Sequence, residues 1–177
     1  CLSERWKNIR LVATPEITAG GSSSIEVRTI PGGLLTQTPD LKIARPSDWT
    51  HAAGPAPTPE TLANAQLAWV TVKHAASNAI TIAGDHRLLG LGGGQVDRLT
   101  AARLAVTKAG DSINGCPDTA AASDAFFPFP DGPEVLIDAG ISCIVQPGGS
   151  KRDDETLSLC DKHGVICMTT GVRHFRH

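Results

Sequence analysis

The stretch ASDAFFPFPDG, residues 122–132, holds three of the chain's four phenylalanines beside two prolines and two acids. Prolines restrict the backbone, so an extended loop would present the rings, and a ring held in this way can stack on a planar heterocycle. Asp131, just beyond the rings, can accept hydrogen bonds from the N–H groups of such a ligand. The alternative is a hydrophobic plug under a loop, with Asp131 capping the following helix. The residues by themselves leave both interpretations open.

A second candidate site is the glycine run 92–94, which precedes a predicted helix that contains Arg98. Free N–H groups at a helix N-terminus attract anions, and an arginine one turn in can bind a phosphate or another flat anion through two nitrogens. The sequence GLGGGQ lacks the GxGxxG spacing of a dinucleotide site. The glycines alone therefore favour a tight turn over a ligand site.

Ser77 and Asn78 lie between the end of a predicted helix and the start of a predicted strand. Asparagine is common at such places because it tolerates left-handed backbone and caps helices, and residue type alone favours that structural role. In a functional role, Asn78 would offer a ligand both a donor group and an acceptor.

A zinc deaminase site is excluded by residue spacing. Such a site needs a His or Cys two residues before a Glu, and also a PCxxC pair. Here Pro117 follows Cys116 instead of preceding it, and no second cysteine lies nearby. Five cysteines at irregular spacing predict a reduced, cytoplasmic protein, and a net charge of -2 predicts no general affinity for nucleic acid. No apolar run is long enough to span a membrane.

Alternating strand-like and helical stretches must position these groups, and they predict an α/β fold. Helices between strands imply a three-layer α/β/α arrangement around a largely buried sheet. Thr58 as N-cap and Pro59 in the first turn predict a helix start. The buried stripe of that helix is predicted to comprise Leu62, Ala65, Trp69, Val72 and Ala76.

The other elements follow from turn residues and periodicity. Strands are predicted at residues 25–30, 32–38, 79–83, 88–91, 141–146 and 165–169. Further helices are predicted after the glycine run up to Gly110, at 133–139 and at 151–163. Residues 40–60 contain four prolines and predict an irregular connection. A first residue other than Met, followed closely by an apolar run, indicates a start inside a longer natural chain.

Several motifs, in the same order and spacing, resemble the C-terminal end of one known family. That family joins 5-aminoimidazole-4-carboxamide ribonucleotide (AICAR) formyltransferase to inosine monophosphate (IMP) cyclohydrolase. The matching motifs are SDAFFPFPDG, IVQPGGSKRDDE, HGV and the terminal GVRHFRH. Upstream, SNAITIA resembles the family's SNAIVYA, GLGGGQVDR its GIGAGQxSR, and GGLLTQTPDL its GGLLVQ segment. The resemblance covers roughly residues 8–177 and is densest from residue 121.

This resemblance implies that residues 1–177 form the second of two cytidine-deaminase-like subdomains, without zinc, in the formyltransferase region. The family transfers a formyl group from 10-formyltetrahydrofolate to the 5-amino group of AICAR, in purine biosynthesis. The implied partners are AICAR, the reduced folate, the N-terminal half of the same enzyme and a second copy in a homodimer. The resemblance implies no required metal and is compatible with a monovalent cation.

Matching motifs also imply roles for particular residues. AICAR contacts are implied for Asn78, Arg98, Phe126, Arg173 and His177. Phe129 and Asp131 match residues that line the folate pocket. Asn78 is in addition the implied catalytic residue, as an orienting or oxyanion-binding donor.

The chain departs from the family at its proposed catalytic Lys–His pair, which lies in the first subdomain in a KHxxP motif. The Lys73–His74 pair stands in the wrong place, and we interpret it as a surface lysine beside an arbitrary histidine. The cyclohydrolase domain is also missing. Two hypotheses follow: the chain is part of an AICAR formyltransferase that needs its N-terminal half, or it is a non-catalytic nucleotide- or folate-binding partner.

Overall fold

The computed structural model describes residues 25–176, together with Asn8, Arg10 and Val12. The chain divides into two units, residues 1–41 and residues 42–177. In the first unit, strands β1 (Glu26–Ile30) and β2 (Gly33–Gln37) pair in antiparallel fashion. Gly32 takes the left-handed backbone, with a φ of 82°, that the turn between them requires. The two strands predicted at residues 25–30 and 32–38 are therefore confirmed, and they form a hairpin.

The second unit is built on a mixed six-stranded sheet. Its strands are β3 (Thr50–Ala53), β4 (Ile80–Gly84), β5 (Arg87–Gly92), β6 (Ala120–Ser123), β7 (Cys143–Gln146) and β8 (Ile166–Thr169). They lie in the order β3-β8-β7-β6-β4-β5. β6, β7 and β8 are parallel, whereas β4 runs antiparallel to both of its neighbours and β3 runs antiparallel to β8.

Helices cover both faces of this sheet. They are α1 (Pro59–His74), α2 (Arg98–Ala109), α3 (Asp131–Asp138) and α4 (Asp153–His163). Trp69 of α1 packs against one face, in a cluster with Val145 of β7. Residues of the other three helices pack against the opposite face, in a cluster with Ile144 of β7. The α/β fold class is confirmed, and no helix in the described ranges is long and apolar enough to cross a membrane.

Helix α1 begins as predicted. The Thr61 N–H donates to Thr58 Oγ1 at 3.0 Å, and Pro59 occupies the first turn. The predicted stripe is correct at Ala65, Trp69 and Val72, which are fully buried, while Leu62 is only partly buried. It is wrong at Ala76, which is exposed. The extended backbone of Ala75 ends the helix before Ala76 can join the stripe.

Lys73 is a second correction. The side chain predicted to lie on the surface is only 8% exposed, and its Nζ donates to the Lys42 carbonyl at 3.2 Å. A lysine can bury its aliphatic stem while its ammonium reaches a polar partner. His74 is exposed, as the surface interpretation expects.

The other predicted elements agree with the structure to within two residues at each end, but two strands escaped prediction. β3 lies inside the stretch predicted to be irregular, and it pairs with β8 at the edge of the sheet. β6 has the sequence AAAS, whose alanines have little intrinsic preference for strands. Its four residues are all buried, so tertiary packing fixes its conformation.

Candidate functional site

The predicted site residues gather at one edge of the sheet. β4 is antiparallel to β6, with Ile80 opposite Ser123, so the residues before β4 and those after β6 meet at the same edge. Asn78 precedes β4, and the phenylalanine-rich loop follows β6. Topology thus brings together two motifs that lie more than 40 residues apart in the sequence.

Asn78 is held by the loop that precedes α2. The backbone N–H groups of Asn78 and Gln95 donate to each other's carbonyl oxygens, at 3.1 and 3.2 Å. The Asn78 side chain adds a third bond, from Nδ2 to the Gln95 carbonyl at 2.9 Å. The Ser77–Asn78 peptide bond is cis. The second Nδ2 hydrogen and Oδ1 of Asn78 form no hydrogen bond within the described part of the chain, so they are available to a ligand.

The glycine run serves packing and turning. Gly92 leaves room for the backbone of α2, and Gly94 has a φ of 66° and donates to the Ala76 carbonyl at 2.6 Å. The N-terminus of α2 is occupied by the Asp97 carboxylate, which accepts the Thr100 N–H at 2.6 Å. An anion at this helix end would meet that carboxylate, so the tight-turn interpretation is the one that the structure supports.

Arg98 begins α2, and its side chain is 13% exposed. Its Nη2 donates to Asp124 Oδ1 at 3.3 Å. Burial lowers the pKa of the Arg98 guanidinium, and the neighbouring Asp124 carboxylate acts in the opposite direction. An arginine with an ordinary pKa far above neutrality remains charged here, so Arg98 supplies a fixed, partly buried positive charge.

The C-terminal segment closes over this region. The Arg98 and Arg173 guanidinium carbons lie 6.0 and 5.6 Å from the centre of the Phe175 ring. His174 anchors the segment, because it is buried and its ring centre lies 4.7 Å from that of Trp69. The Arg176 carbonyl accepts the Ser77 N–H at 2.8 Å. Two cationic side chains therefore meet at one aromatic ring, close to the segment that carries Asn78.

The phenylalanine-rich loop divides its rings between the core and the surface. Phe127 is 1% exposed and packs under Gly132, whose added Cβ would lie 2.9 Å from the ring. Phe126 is partly exposed, and Phe129 is 51% exposed. The hydrophobic-plug interpretation thus describes Phe127, whereas Phe126 and Phe129 stay open to a ligand.

Phe129 and Asp131 form a second group with Arg152. The Arg152 guanidinium carbon lies 4.9 Å from the centre of the Phe129 ring, and two 2.6 Å hydrogen bonds from Arg152 to Glu155 hold it there. Asp131 begins α3 and accepts the N–H of Gly132 at 2.8 Å. The bonds to Glu155 raise the pKa of Arg152 most, and the Asp131 charge adds to that effect.

The structure therefore brings Asn78, Arg98 and Arg173 into one neighbourhood, and Phe129 with Asp131 into another. Phe126 lies in the loop between β6 and α3, and His177 lies outside the described residues. Sequence reasoning assigned no role to Asp124, Gln95 or Phe175. Each stands within, or beside, a motif already singled out, and Asp124 is the acid directly after a strand end. The position of Asp124 next to the aromatic run was the sequence signal that could have identified it.

A cavity of about 540 Å³ lies further along the same edge of the sheet. It is lined by residues 147–149 after β7, by residues 169–171 at the end of β8, and by Asp153 of α4, among others. None of the predicted site residues that the structure describes lines it.

Within the described residues, no group of three or more histidine, cysteine or acidic side chains is arranged to hold a metal ion. Cys143, Cys160 and Cys167 lie in the core, where burial raises the pKa of Cys143 to about 12. A hydrogen bond between the other two thiols raises the pKa of Cys167 and lowers that of Cys160. These three thiols are packing groups with no access to solvent.

Thiol reactivity tests this arrangement. In a Cys1→Ser variant at pH 8, a disulfide reagent such as dithionitrobenzoate is expected to modify one thiol of the folded chain, Cys116, which is partly exposed. A thiol with a raised pKa stays protonated below that pKa, so Cys143 should remain silent at pH 9 as well. Four thiols should react in guanidinium chloride. Rapid modification of a second thiol in the folded chain would contradict the burial of the three core cysteines.

Comparison with known proteins agrees with the sequence motifs. A sequence model described as the AICARFT/IMPCHase bienzyme matches residues 1–108. The chain is also similar to the bifunctional purine biosynthesis protein PurH of Cutibacterium acnes, with 49% identity over 176 residues. That alignment covers 98% of the chain and 33% of the relative, so the chain spans about a third of that relative's length. The chain belongs to the AICARFT/IMPCHase bienzyme family.

Proposed function

We propose that the chain forms part of an AICAR formyltransferase, as the second of two zinc-free, cytidine-deaminase-like subdomains. The reaction moves the formyl group of 10-formyltetrahydrofolate to the 5-amino group of AICAR, within purine biosynthesis. Family membership and the 49% identity to a bifunctional purine biosynthesis protein support this assignment. The mixed sheet with helices on both faces is compatible with the proposed subdomain type.

The meeting of Arg98 and Arg173 at Phe175, beside the segment that carries Asn78, is the observation that carries the proposal. A nucleotide needs cationic groups for its polar parts and a flat apolar surface for its base. The two arginines supply the charge, and the partly exposed Phe126 supplies the surface beside the imidazole. His177, at the end of the same C-terminal segment, is proposed to complete the AICAR contacts.

The chemistry places specific demands on this site. The amine of AICAR is conjugated to an electron-poor imidazole and is therefore a weak nucleophile. Its attack on the formyl carbon needs an acceptor for the amine proton, donors for the developing oxyanion, and an acid for the departing N10. Holding two large substrates face to face supplies much of the remaining acceleration.

Asn78 fits one of these demands. Its Nδ2 is fixed by the Gln95 carbonyl at 2.9 Å, which orients the amide without using all of its hydrogen-bonding capacity. The remaining N–H can donate to the formyl oxygen as negative charge develops there, and Oδ1 can accept a hydrogen bond from the AICAR amine. A donor that is oriented before the reaction loses little free energy to reorganisation.

Folate is proposed to bind at the second group. Phe129 has one face against the Arg152 guanidinium, so its other face is the one open to a pterin. Asp131 can accept hydrogen bonds from the pterin's amino and ring N–H groups. Gly132 connects the two groups, because its added Cβ would lie 4.0 Å from the Arg98 carbonyl. The two proposed substrates would thus be neighbours across α3.

The general base is proposed to come from outside these residues. Lys73 of the Lys73–His74 pair is buried in the second unit with its Nζ on a carbonyl oxygen, which does not suit a proton acceptor in an open site. The resemblance places the catalytic Lys–His pair in the first formyltransferase subdomain. The proposed partners are therefore the N-terminal part of the enzyme and, at the active-site interface, a second copy.

Complementation tests this function. The part of the Cutibacterium acnes protein that the chain does not span would be expressed separately and mixed with the chain. Formation of formyl-AICAR from AICAR and 10-formyltetrahydrofolate is expected only when both pieces are present. An Arg98→Ala, Arg173→Ala double variant of the chain should restore little activity. If both pieces are folded and associated, yet no formyl transfer occurs, the proposal is wrong.

A non-catalytic role in binding AICAR or folate is the second candidate. The observation that favours it is the buried Lys73, because it leaves the described residues without the family's catalytic pair. Calorimetry with AICAR, and separately with a folate analogue, distinguishes the two hypotheses. Tight binding by the chain alone, together with failed complementation, would support the binding role. Absence of heat with either ligand would exclude it.

A further inference from the structure

Asp124 directly follows β6 and is 1% exposed. Its Oδ2 accepts a hydrogen bond from the Ser77 hydroxyl, and its Oδ1 accepts one from Arg98 Nη2 at 3.3 Å. A buried carboxylate loses its hydration, so it is costly unless polar or charged partners compensate. The compensation here comes from the two segments that carry Asn78 and Arg98, and this carboxylate therefore links both sides of the proposed nucleotide site.

The backbone of Asp124 is fixed as well. Its N–H donates to the Ala79 carbonyl at 3.2 Å, and its carbonyl accepts the His174 N–H at 2.8 Å. The first bond ties Asp124 to the start of β4, and the second ties it to the C-terminal segment with Arg173 and Phe175. With the backbone held on both sides, the carboxylate has little freedom to turn away from Arg98.

Asp124 restrains the Arg98 side chain but does not use all of its N–H groups. One contact at 3.3 Å uses a single nitrogen, whereas a bidentate pair would use two. The guanidinium therefore keeps further N–H groups for a ligand. Long arginine side chains lose conformational entropy when a ligand immobilises them, so a residue that restrains Arg98 in advance would strengthen binding.

We propose that Asp124 is a positioning residue for the nucleotide site, which orients the Arg98 guanidinium and the Ser77 hydroxyl before AICAR arrives. This inference rests on the proposed function, because it concerns the same site. The competing role is simple neutralisation of the Arg98 charge. The two roles predict opposite results, since removing a mere neutraliser would strengthen the attraction of Arg98 for an anion.

The experiment uses the 177-residue chain and the isosteric variant Asp124→Asn. Asp118→Asn is the matched control, because Asp118 also accepts bonds from two hydroxyls, Thr58 and Thr61, but lies at the opposite end of β6. Nitrogen-15 NMR of the Arg98 side chain, assigned with Arg98→Lys, reports rotation of the guanidinium. Calorimetry reports the affinity for AICAR.

In the wild type we expect separate, slowly exchanging Arg98 Nη signals, which should merge in Asp124→Asn. The AICAR dissociation constant should rise roughly tenfold or more in that variant, as for loss of a charged hydrogen bond. Asp118→Asn should leave both measurements within about twofold, since it does not touch Arg98. Unchanged Nη signals, or unchanged or tighter AICAR binding in Asp124→Asn, would overturn the proposal.

Two further outcomes keep the result decisive. If the wild-type chain alone does not bind AICAR, the affinities are measured with the N-terminal part added, and the Arg98 signals of the chain still decide whether Asp124 restrains the guanidinium. If Asp124→Asn does not fold, as judged by circular dichroism, Ser77→Ala takes its place. That variant removes one anchor of the carboxylate, and unaltered Arg98 signals in it would count against positioning.

Discussion

Replacing Asn78 with alanine is expected to lower kcat/KM for formyl transfer roughly a hundredfold to a thousandfold in the complemented enzyme, as loss of an oriented oxyanion donor does elsewhere. The structure gives the reason. The amide is fixed on the Gln95 carbonyl at 2.9 Å, so its remaining N–H and Oδ1 are directed before the substrates bind. Alanine removes both groups and leaves the developing charge without that donor. Steady-state kinetics with varied AICAR, at saturating 10-formyltetrahydrofolate, measures the effect.

Asn114→Ala is the matched control, since Asn114 is exposed at the end of a short 3-10 turn, residues 110–113. The same change there should leave kcat/KM within about twofold, because it lies outside the proposed site. Circular dichroism and the AICAR dissociation constant separate a lost donor from a misfolded loop. An Asn78→Ala enzyme that keeps more than about a third of the wild-type kcat/KM would show that Asn78 takes no part in the chemical step.

Much of the fold could be predicted because local residues determine it. The sequence GDHR, residues 84–87 between β4 and β5, illustrates this: Asp85 and His86 both adopt positive φ, as a tight two-residue hairpin requires. Thr58 and Gly164 likewise mark a helix start and a helix end by their own chemistry. β6 could not be predicted in this way. Its alanines become a strand only because β4 and β7 bind them on both sides.

Prediction of the site had the same limit. Motif spacing pointed to Asn78 and Arg98, but the ring that joins Arg98 to Arg173 belongs to Phe175, which is far from Arg98 in the sequence. Phe127 and Phe129 have the same side chain and similar neighbours, yet one is 1% exposed and the other 51%. The difference arises from α3, because the absence of a side chain at Gly132 leaves room for the Phe127 ring to pack beneath that helix. Such long-range packing is absent from any local pattern.

Gly90 and Gly92 show how α2 is seated on the sheet. A Cβ added at Gly90 would lie 2.1 Å from the Ala105 carbonyl oxygen, and one added at Gly92 would lie 2.1 Å from that of Ala101. The facing positions on α2 are alanines that are fully buried. Glycine on the strand and alanine on the helix therefore let the two backbones approach closely. The contact fixes the start of α2, and with it Arg98.

Gly92→Ala is accordingly expected to lower the free energy of unfolding by more than about 3 kcal/mol, the upper range for overpacking. The opposing gain is smaller: alanine restricts the unfolded chain and stabilises by only about 0.4–1 kcal/mol where it fits. No rotamer change can relieve a Cβ that meets a backbone oxygen, so the helix must move.

Gly115→Ala is the control, since a Cβ there meets nothing within 4 Å, and its unfolding free energy should stay within about 1 kcal/mol of the wild type. Urea unfolding followed by circular dichroism measures both. Equal stability of the two variants would show that α2 does not pack against β5 as closely as the structure has it.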